Sequence, residues 1–305
     1  MTSRFGRRIR CACAVASLIG IVGCDGSIHG ATDLPATNEF VAAGCVQIDG
    51  YDGDAMEPFI EPRSGALLFN NSNAKPNLTD LFWAKRIDDG HFTFVGKIEG
   101  ANSDALDGVP SVDEDGNFYF ISTRSYAETY STIYRGHWSN GSVTRVELVR
   151  GVSRGHAPYI DFDAEISRDG DSLYFAEGVF KGGPIPVSAD IVMAHRRGDG
   201  FVVDTYSDVL LGTVNTPALE YAPAISADRR ELFFTRLDKE AHTVGIYRVK
   251  RIGAAQPFGK AERVSAADGF VEAPALNPDG TVLYFHRLDA GRFHICRANR
   301  VKGNT

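Results

Sequence analysis

Residues 273–288 read APALNPDGTVLYFHRL. A short apolar strand starts after Pro274, the tripeptide Pro278-Asp279-Gly280 makes a tight turn, and Leu283-Tyr284-Phe285 carries the chain back. Asp-Gly supplies the positive-φ positions of a tight hairpin. A strand apolar on both faces is one that neighbours cover from both sides. Working backwards, the same pattern recurs as APAISADRRELFFTRL from Ala222, DAEISRDGDSLYFAEG from Asp163, VPSVDEDGNFYFIST from Val109 and EPFIEPRSGALLFNNS from Glu57. Aligning Ile60, Val112, Ile166, Ile225 and Leu276 gives steps of 52, 54, 59 and 51 residues.

Each copy continues into a third strand: DLFWAKR from Asp80, TIYRGHW from Thr132, DIVMAHR from Asp190, GIYRVKR from Gly245 and HICRANR from His294. A weaker fourth strand follows, as at Phe92–Ile98 and Ser142–Leu148. A steady step of this size is the spacing of propeller blades. The sequence therefore predicts an all-β chain whose residues 39–305 form a single β-propeller of five blades, each of four antiparallel strands. The extra length of residues 177–219 leaves room for a sixth, degenerate unit.

The repeat resembles the WD40-like (PD40) repeat of TolB-like propellers, whose consensus runs roughly APxWSPDGxxIxFxSxR…DIY. The resemblance covers almost all of residues 39–305. It is best at Ala222–Leu237 and Ala273–Leu288, and weakest in the first copy, where Arg63-Ser64-Gly65 replaces the PDG turn.

A ring needs its ends joined, since open sheet edges invite aggregation. The chain stops after the third strand of the fifth copy, while Phe40–Asp49 (FVAAGCVQID) looks like the FTFVGKIEG that precedes the second copy. The N-terminal strand is therefore expected to complete the last blade. Matching Ile48-Asp49-Gly50 to Ile98-Glu99-Gly100 sets Cys45 at the place of Val95, and Cys296 falls at the place of Phe82. These places lie on adjacent strands, so a Cys45–Cys296 disulfide is expected; the alternative is two buried thiols.

Ahead of the repeats, Arg4, Arg7, Arg8 and Arg10 precede an uncharged stretch, Cys11 to Val22, too short to span a bilayer stably. It suits the apolar region of a signal peptide. Ile21-Val22-Gly23-Cys24 resembles the lipobox of bacterial lipoproteins. That resemblance implies removal of residues 1–23, lipidation of Cys24, and a protein held at the membrane by its N-terminal lipid, facing the periplasm or cell surface. An ordinary cleaved signal is the alternative. Residues 24–38 read as a flexible tether. Loss of the leader leaves 28 basic against 39 acidic residues, a charge of −11. No basic run remains, so no nucleic-acid partner is expected.

In related propellers the loops entering the first strand and leaving the second share one face around the channel. The entering loops here are acidic: Asp52, Asp54 and Glu57; Asp104 and Asp107; Asp161, Asp163 and Glu165; Glu220; Glu272. The leaving loops carry Arg124 and Tyr126, Arg236 and Asp238, and His286 and Arg287. Two of them, 70–79 and 177–189, are long, and long loops on rigid scaffolds carry binding. The candidate binding face is Asp54, Glu57, Asp107, Arg124, Asp161, Asp163, Glu220, Arg236, Glu272 and Arg287. The plainer reading is that a repeated acid serves the repeat itself, by accepting N–H bonds or pairing with a repeated arginine.

The functional expectation is a monomeric interaction module whose partner is an envelope protein, peptide or glycan. The alternative is a glycoside hydrolase-like enzyme using channel carboxylates, with Asp54, Asp163 and Glu272 as candidates. No glycosidase signature surrounds those three, and no catalytic residue is assigned. No cofactor or metal is expected: the histidines are scattered, and of the Asp-x-Asp pairs that could hold calcium, Asp169/Asp171 sits in a hairpin turn where such residues are common.

Overall fold

The computed structural model describes residues 29–30, 36–73, 78–183 and 185–301. The described chain is all-β, with two four-residue helices, Tyr126–Thr129 and Ser207–Leu210. Its strands form four sheets, of ten, four, four and five strands; the repeat marks out five consecutive units, of which the third and fourth are joined in the ten-stranded sheet through Ala189 and Leu219. Unit one holds Met56–Ile60, Leu67–Asn70, Leu81–Arg86 and His91–Lys97. Unit two holds Asp107–Val112, Asn117–Ser122, Ile133–Ser139 and Ser142–Leu148. Unit three holds Tyr159–Ile166, Ser172–Val179, Ser188–Arg197 and Gly200–Val203. Unit four holds Leu219–Ile225, Glu231–Asp238, Thr243–Lys250 and Glu262–Val264. Unit five holds Phe270–Leu276, Val282–Asp289 and Arg292–Arg300, beside which Phe40–Cys45 pairs antiparallel. Within each unit sequential strands are antiparallel neighbours. Residues 177–219 add no further sheet among the described residues; they hold the long third strand, the fourth strand and the second helix of unit three.

The apolar second strands explain the packing. Leu67-Leu68-Phe69, Phe118-Tyr119-Phe120, Leu173-Tyr174-Phe175 and Leu232-Phe233-Phe234 are wholly buried, and Leu283-Tyr284-Phe285 nearly so. Full burial of such a side chain is worth about 1.5–3 kcal/mol, so covering both faces of each central strand dominates the stability. The clusters they form straddle neighbouring units. Phe118 and Phe120 pack with Leu68 and Trp83 of unit one, Leu173 and Phe175 with Tyr119 of unit two, and Phe234 with Tyr174 of unit three. Leu283 and Phe285 pack with Phe233 of unit four. Tyr284 and Ile295 of unit five pack with Leu67 and Phe69 of unit one, so the last unit lies against the first.

Cys45 and Cys296 are directly opposed and joined by a disulfide. It clips a sequence separation of 251 residues, which the chain-entropy model values at no more than about 5 kcal/mol. The segment 40–49 does not remain one strand. Gly44 takes φ +82°, Val46 donates its N–H to the Ile295 carbonyl, and Gln47 donates to that of Gly90. Gln47–Asp49 then pairs parallel with His91–Lys97 of unit one, so the segment steps from the last unit onto the first. Residues 36 and 37, at the end of the stretch read as a tether, pair parallel with Glu262–Val264. Buried Arg248 fixes them there, with Nη2 donating to Thr37 Oγ1 at 2.9 Å and Nη1 to Glu39 Oε2 at 2.7 Å.

Candidate functional site

The first strands of the five units touch in ring order, and all five carry the same irregularity. Glu57, Val109, Asp163, Ala222 and Ala273 are in the left-handed region, with φ of 49° to 55°. Each lies where the first strand slips register against the second. Such a conformation costs a non-glycine residue on the order of 1–2 kcal/mol and persists only where surroundings enforce it. The enforcement is visible. Val109 N–H bonds Asn70 Oδ1 at 3.0 Å, Ala273 N–H bonds Thr235 Oγ1 at 3.0 Å, and Glu57 N–H bonds His286 Nδ1 at 3.2 Å. Asn70, Thr235 and His286 occupy the same position near the end of the second strand, each on the unit preceding the one it holds. In unit three that position is Ala176, and the Asp163 carboxylate accepts the Ala222 N–H instead. The result is a collar of side-chain bonds between units.

At the join of units five and one the collar gathers titratable groups. His286 is fully buried. Because its Nδ1 accepts a backbone N–H, its proton sits on Nε2, which donates to Glu272 Oε2 at 3.2 Å. The Tyr221 hydroxyl donates to the other oxygen, Oε1. Glu57 Oε1 accepts from Asn73 Nδ2 at 2.7 Å. Burial, then the Asp163 charge, pushes Glu57 up to about 8; burial, then the Glu272 charge, pushes Asp163 up to about 7. Burial, reinforced by Glu272, also lifts Tyr221 well above the usual phenol value. The three acids Glu57, Asp163 and Glu272 thus share one low-dielectric neighbourhood. The space between the bulges, lined by Glu57, Asp163, Ala222 and Ala273, is about 20 Å³, enough for about one water.

The remaining expected residues lie around this collar. Asp54 stands apart from Asp163 and Glu272: its Oδ1 accepts the Phe293 N–H at 3.0 Å and ties unit one to unit five. Asp107 is buried and pairs with Arg124 at 2.6 Å, and Glu220 with Arg236 at 2.6 Å. Asp161 is buried opposite Glu177, and its Oδ1 has no hydrogen-bond partner among the described residues. Burial, then the Glu177 charge, pushes Asp161 up to about 8. Arg287 does not meet Glu272; it reaches Asp289 at 3.8 Å. Cys24 and residues 1–23 lie outside the described residues, as do 74–77 of one long loop and 184 of the other. Sequence reading noted His286 only as a loop residue and passed over Tyr221. The signal that could have found His286 is its alignment with Asn70 and Thr235, polar residues following three apolar ones.

No family model matches the chain, and no curated protein matches it. Solved structures do. A glycoside hydrolase matches with TM-score 0.60 at 8% identity, over 88% of this chain and 93% of that one. The endo-arabinase from Bacteroides thetaiotaomicron matches with TM-score 0.54 at 14% identity, over 86% and 99%. The putative TolB from Agrobacterium tumefaciens matches with TM-score 0.41 at 18% identity, over 64% of this chain and 61% of that one. At such identities the likeness to the two hydrolases concerns the fold alone: a propeller-like all-β architecture. Among the described residues, no helix is long and apolar enough to cross a membrane.

Proposed function

We propose that this chain is a five-bladed β-propeller, closed by its own N-terminal strand and held at the cell envelope by a lipid on Cys24. We propose further that it is a binding module. It takes an envelope protein, peptide or glycan on the face where first strands begin and second strands end. The observation that carries this reading is how the channel polar groups are used. Glu272 is held by Tyr221 and His286, Asp163 by the Ala222 N–H, and Asp107 and Glu220 by arginines, around a space fit for about one water. Groups so engaged build a rigid face and leave recognition to the exposed loops around it.

The hydrolase reading has one observation in its favour. Glu57 and Asp163 are held protonated near neutrality beside Glu272, and shifted carboxyl pairs are what glycoside hydrolysis employs.

One experiment separates the two. Capture of partners from envelope extract is compared for the wild-type protein, for the double variant Glu128→Lys/Lys181→Glu on the exposed loops of the proposed face, and for Asp115→Lys in a hairpin turn at the opposite end. The binding module loses its partner at least tenfold in the double variant and keeps it in D115K. Equal capture by all three would sink it. Turnover of an arabinan or other glycan that disappears in Glu272→Gln would establish the hydrolase instead.

A further inference from the structure

The third-strand heptads DLFWAKR, DIVMAHR, GIYRVKR and HICRANR all end in arginine: Arg86, Arg196, Arg251 and Arg300. Three of the four use the guanidinium in a common way. Arg196 Nε donates to the Gly170 carbonyl at 2.7 Å, Arg251 Nε to that of Arg229 at 2.7 Å, and Arg300 Nε to that of Gly280 at 2.8 Å, each a hairpin-turn carbonyl of its own unit. The η nitrogens then face the preceding unit. Arg196 bonds the Tyr119 hydroxyl and lies 3.7 Å from Asp113; Arg300 pairs with Glu231 at 2.6 Å. Arg86 pairs within its own hairpin, with Asp89 at 3.1 Å.

Arg251 departs from this rule. It bonds the Tyr174 hydroxyl through Nη2 at 3.0 Å, but among the described residues it meets no carboxylate, and Nη1 has no partner. The residue is only 6% exposed. The reason is legible in the repeat. Glu231, the acid that serves Arg300, opens the second strand of unit four, and the residue that opens the second strand of unit three is Ser172. A buried guanidinium N–H left unpaired is costly, and a charged partner recovers that cost.

The missing acid leaves space. A cleft of about 530 Å³ lies between units three and four, lined by Arg251, Arg229, Ser172 and the mutually paired His195 and Asp204 among its polar groups and by Met193 and Leu210 among its apolar walls. That volume falls within the range of small-molecule sites. Arg229 Nη1 donates to Ser172 Oγ at 3.3 Å and pairs with Asp169 at 3.4 Å, so a second guanidinium, shared with one carboxylate, stands beside the gap. We propose that this cleft binds a small amphiphilic carboxylate. Its carboxylate stands where the acid is absent at Ser172, beside the Arg251 and Arg229 guanidiniums, and its apolar body lies along Met193 and Leu210. The site is separate from the channel face and does not depend on its function.

Calorimetric titration of the purified protein with 3-phenylpropionate, 3-phenylpropionamide and acetate tests this. The carboxylate with an apolar body should bind at least tenfold more tightly than either its neutral amide or acetate. Its phenyl protons should show contacts to the Met193 and Leu210 methyl groups by NMR. Ser172→Glu restores the carboxylate that Arg300 enjoys, and should reduce 3-phenylpropionate binding at least tenfold in a protein whose circular dichroism is unchanged. The proposal is overturned if 3-phenylpropionate fails to bind at millimolar concentration, if the amide binds equally, or if folded S172E binds as well as wild type. If S172E does not fold, the carboxylate preference and the methyl contacts decide, and loss of either overturns it.

Discussion

Units two and four solve at one position a problem that unit three leaves open. Asp107 near the start of unit two is buried, pairs with Arg124, and takes Ser103 N–H and Oγ on its other oxygen at 2.6 and 2.7 Å. Glu220 in unit four is buried, pairs with Arg236, and takes Thr216 Oγ1 at 2.6 Å and N–H at 3.0 Å. Both guanidiniums lie over aromatic rings, Arg124 over Tyr134 at 5.0 Å and Arg236 over Tyr247 at 4.8 Å. Asp161 fills the same slot in unit three, but the residue across the strand from it is Glu177. Glu177 is claimed by Arg154, through Nε and Nη2 at 2.6 Å each, and Arg154 stacks on Tyr159 at 4.3 Å. Burial, reinforced by the like charge of Glu177 directly opposed on the sheet, pushes Asp161 up to about 8. The same backbone slot thus holds an arginine-paired acid in two units, although burial still raises Glu220, and an acid with no arginine across from it in a third.

The largest effect expected from this contrast is at Glu220→Ala. It strands a guanidinium whose side chain is 11% exposed, and removing one partner of a buried pair costs about 3–5 kcal/mol. Guanidinium chloride melts should show the midpoint falling with an unchanged slope; a loss under about 1 kcal/mol would mean the pair is ornamental. Asp107→Ala should cost less, about 2–3 kcal/mol, because Arg124 is 23% exposed and water can partly replace the acid. If the two losses were equal, solvent access would not be what distinguishes the pairs.

Part of this arrangement is legible in the residues themselves, and the rest is not, for physical reasons. The period set by Ile60, Val112, Ile166, Ile225 and Leu276 located the second strands, because apolar triplets such as Leu232-Phe233-Phe234 admit burial on both faces and nothing else. The pairing of Cys45 with Cys296 followed from aligning the copies. The bulges did not follow. Glu57, Val109, Asp163, Ala222 and Ala273 have little in common as side chains, and the backbone N–H of four of them is held from the neighbouring unit, Val109 by Asn70, Ala273 by Thr235, Glu57 by His286 and Ala222 by Asp163. Because the bulge shifts register, Glu272 comes opposite His286, a pairing that counting along an ideal hairpin misses. The paired acids Asp107 and Glu220 looked the same in sequence as Asp161; what separates them is an arginine within reach, directly across the strand at Arg236 for Glu220 and two residues beyond the facing Ser122 at Arg124 for Asp107.

Unit three can be pushed towards its neighbours. Glu177→Arg places a guanidinium across from Asp161 as Arg236 stands across from Glu220. It also releases Arg154, which is half exposed and loses little. The variant should gain about 1–2 kcal/mol at pH 8 and little at pH 4, where Asp161 is protonated in any case. Stability measured at both values checks it; a variant less stable than wild type at pH 8 would show that the slot in unit three cannot seat an arginine.

The effect cleanest in sign is that of Asp161→Asn. A free aspartate titrates near 3.9, and in the folded protein Asp161 titrates at about 8. The native state therefore holds this proton more tightly than the unfolded chain does. Its contribution to stability is complete below pH ~4 and is lost as pH rises towards 8. Glu57, Asp163 and Glu165 are raised in the same direction by burial, so the wild-type slope sums several groups, and only the difference between wild type and variant isolates one of them. That difference should be near zero at pH 4 and grow steadily in favour of D161N as pH rises to 8. Asp107→Asn, made in the paired slot, should show the opposite sign at pH 8, since there the charge removed is one that Arg124 needs. Two variants of the same chemistry with opposite signs would establish that an arginine within reach, and not burial alone, decides what an acid in this slot does.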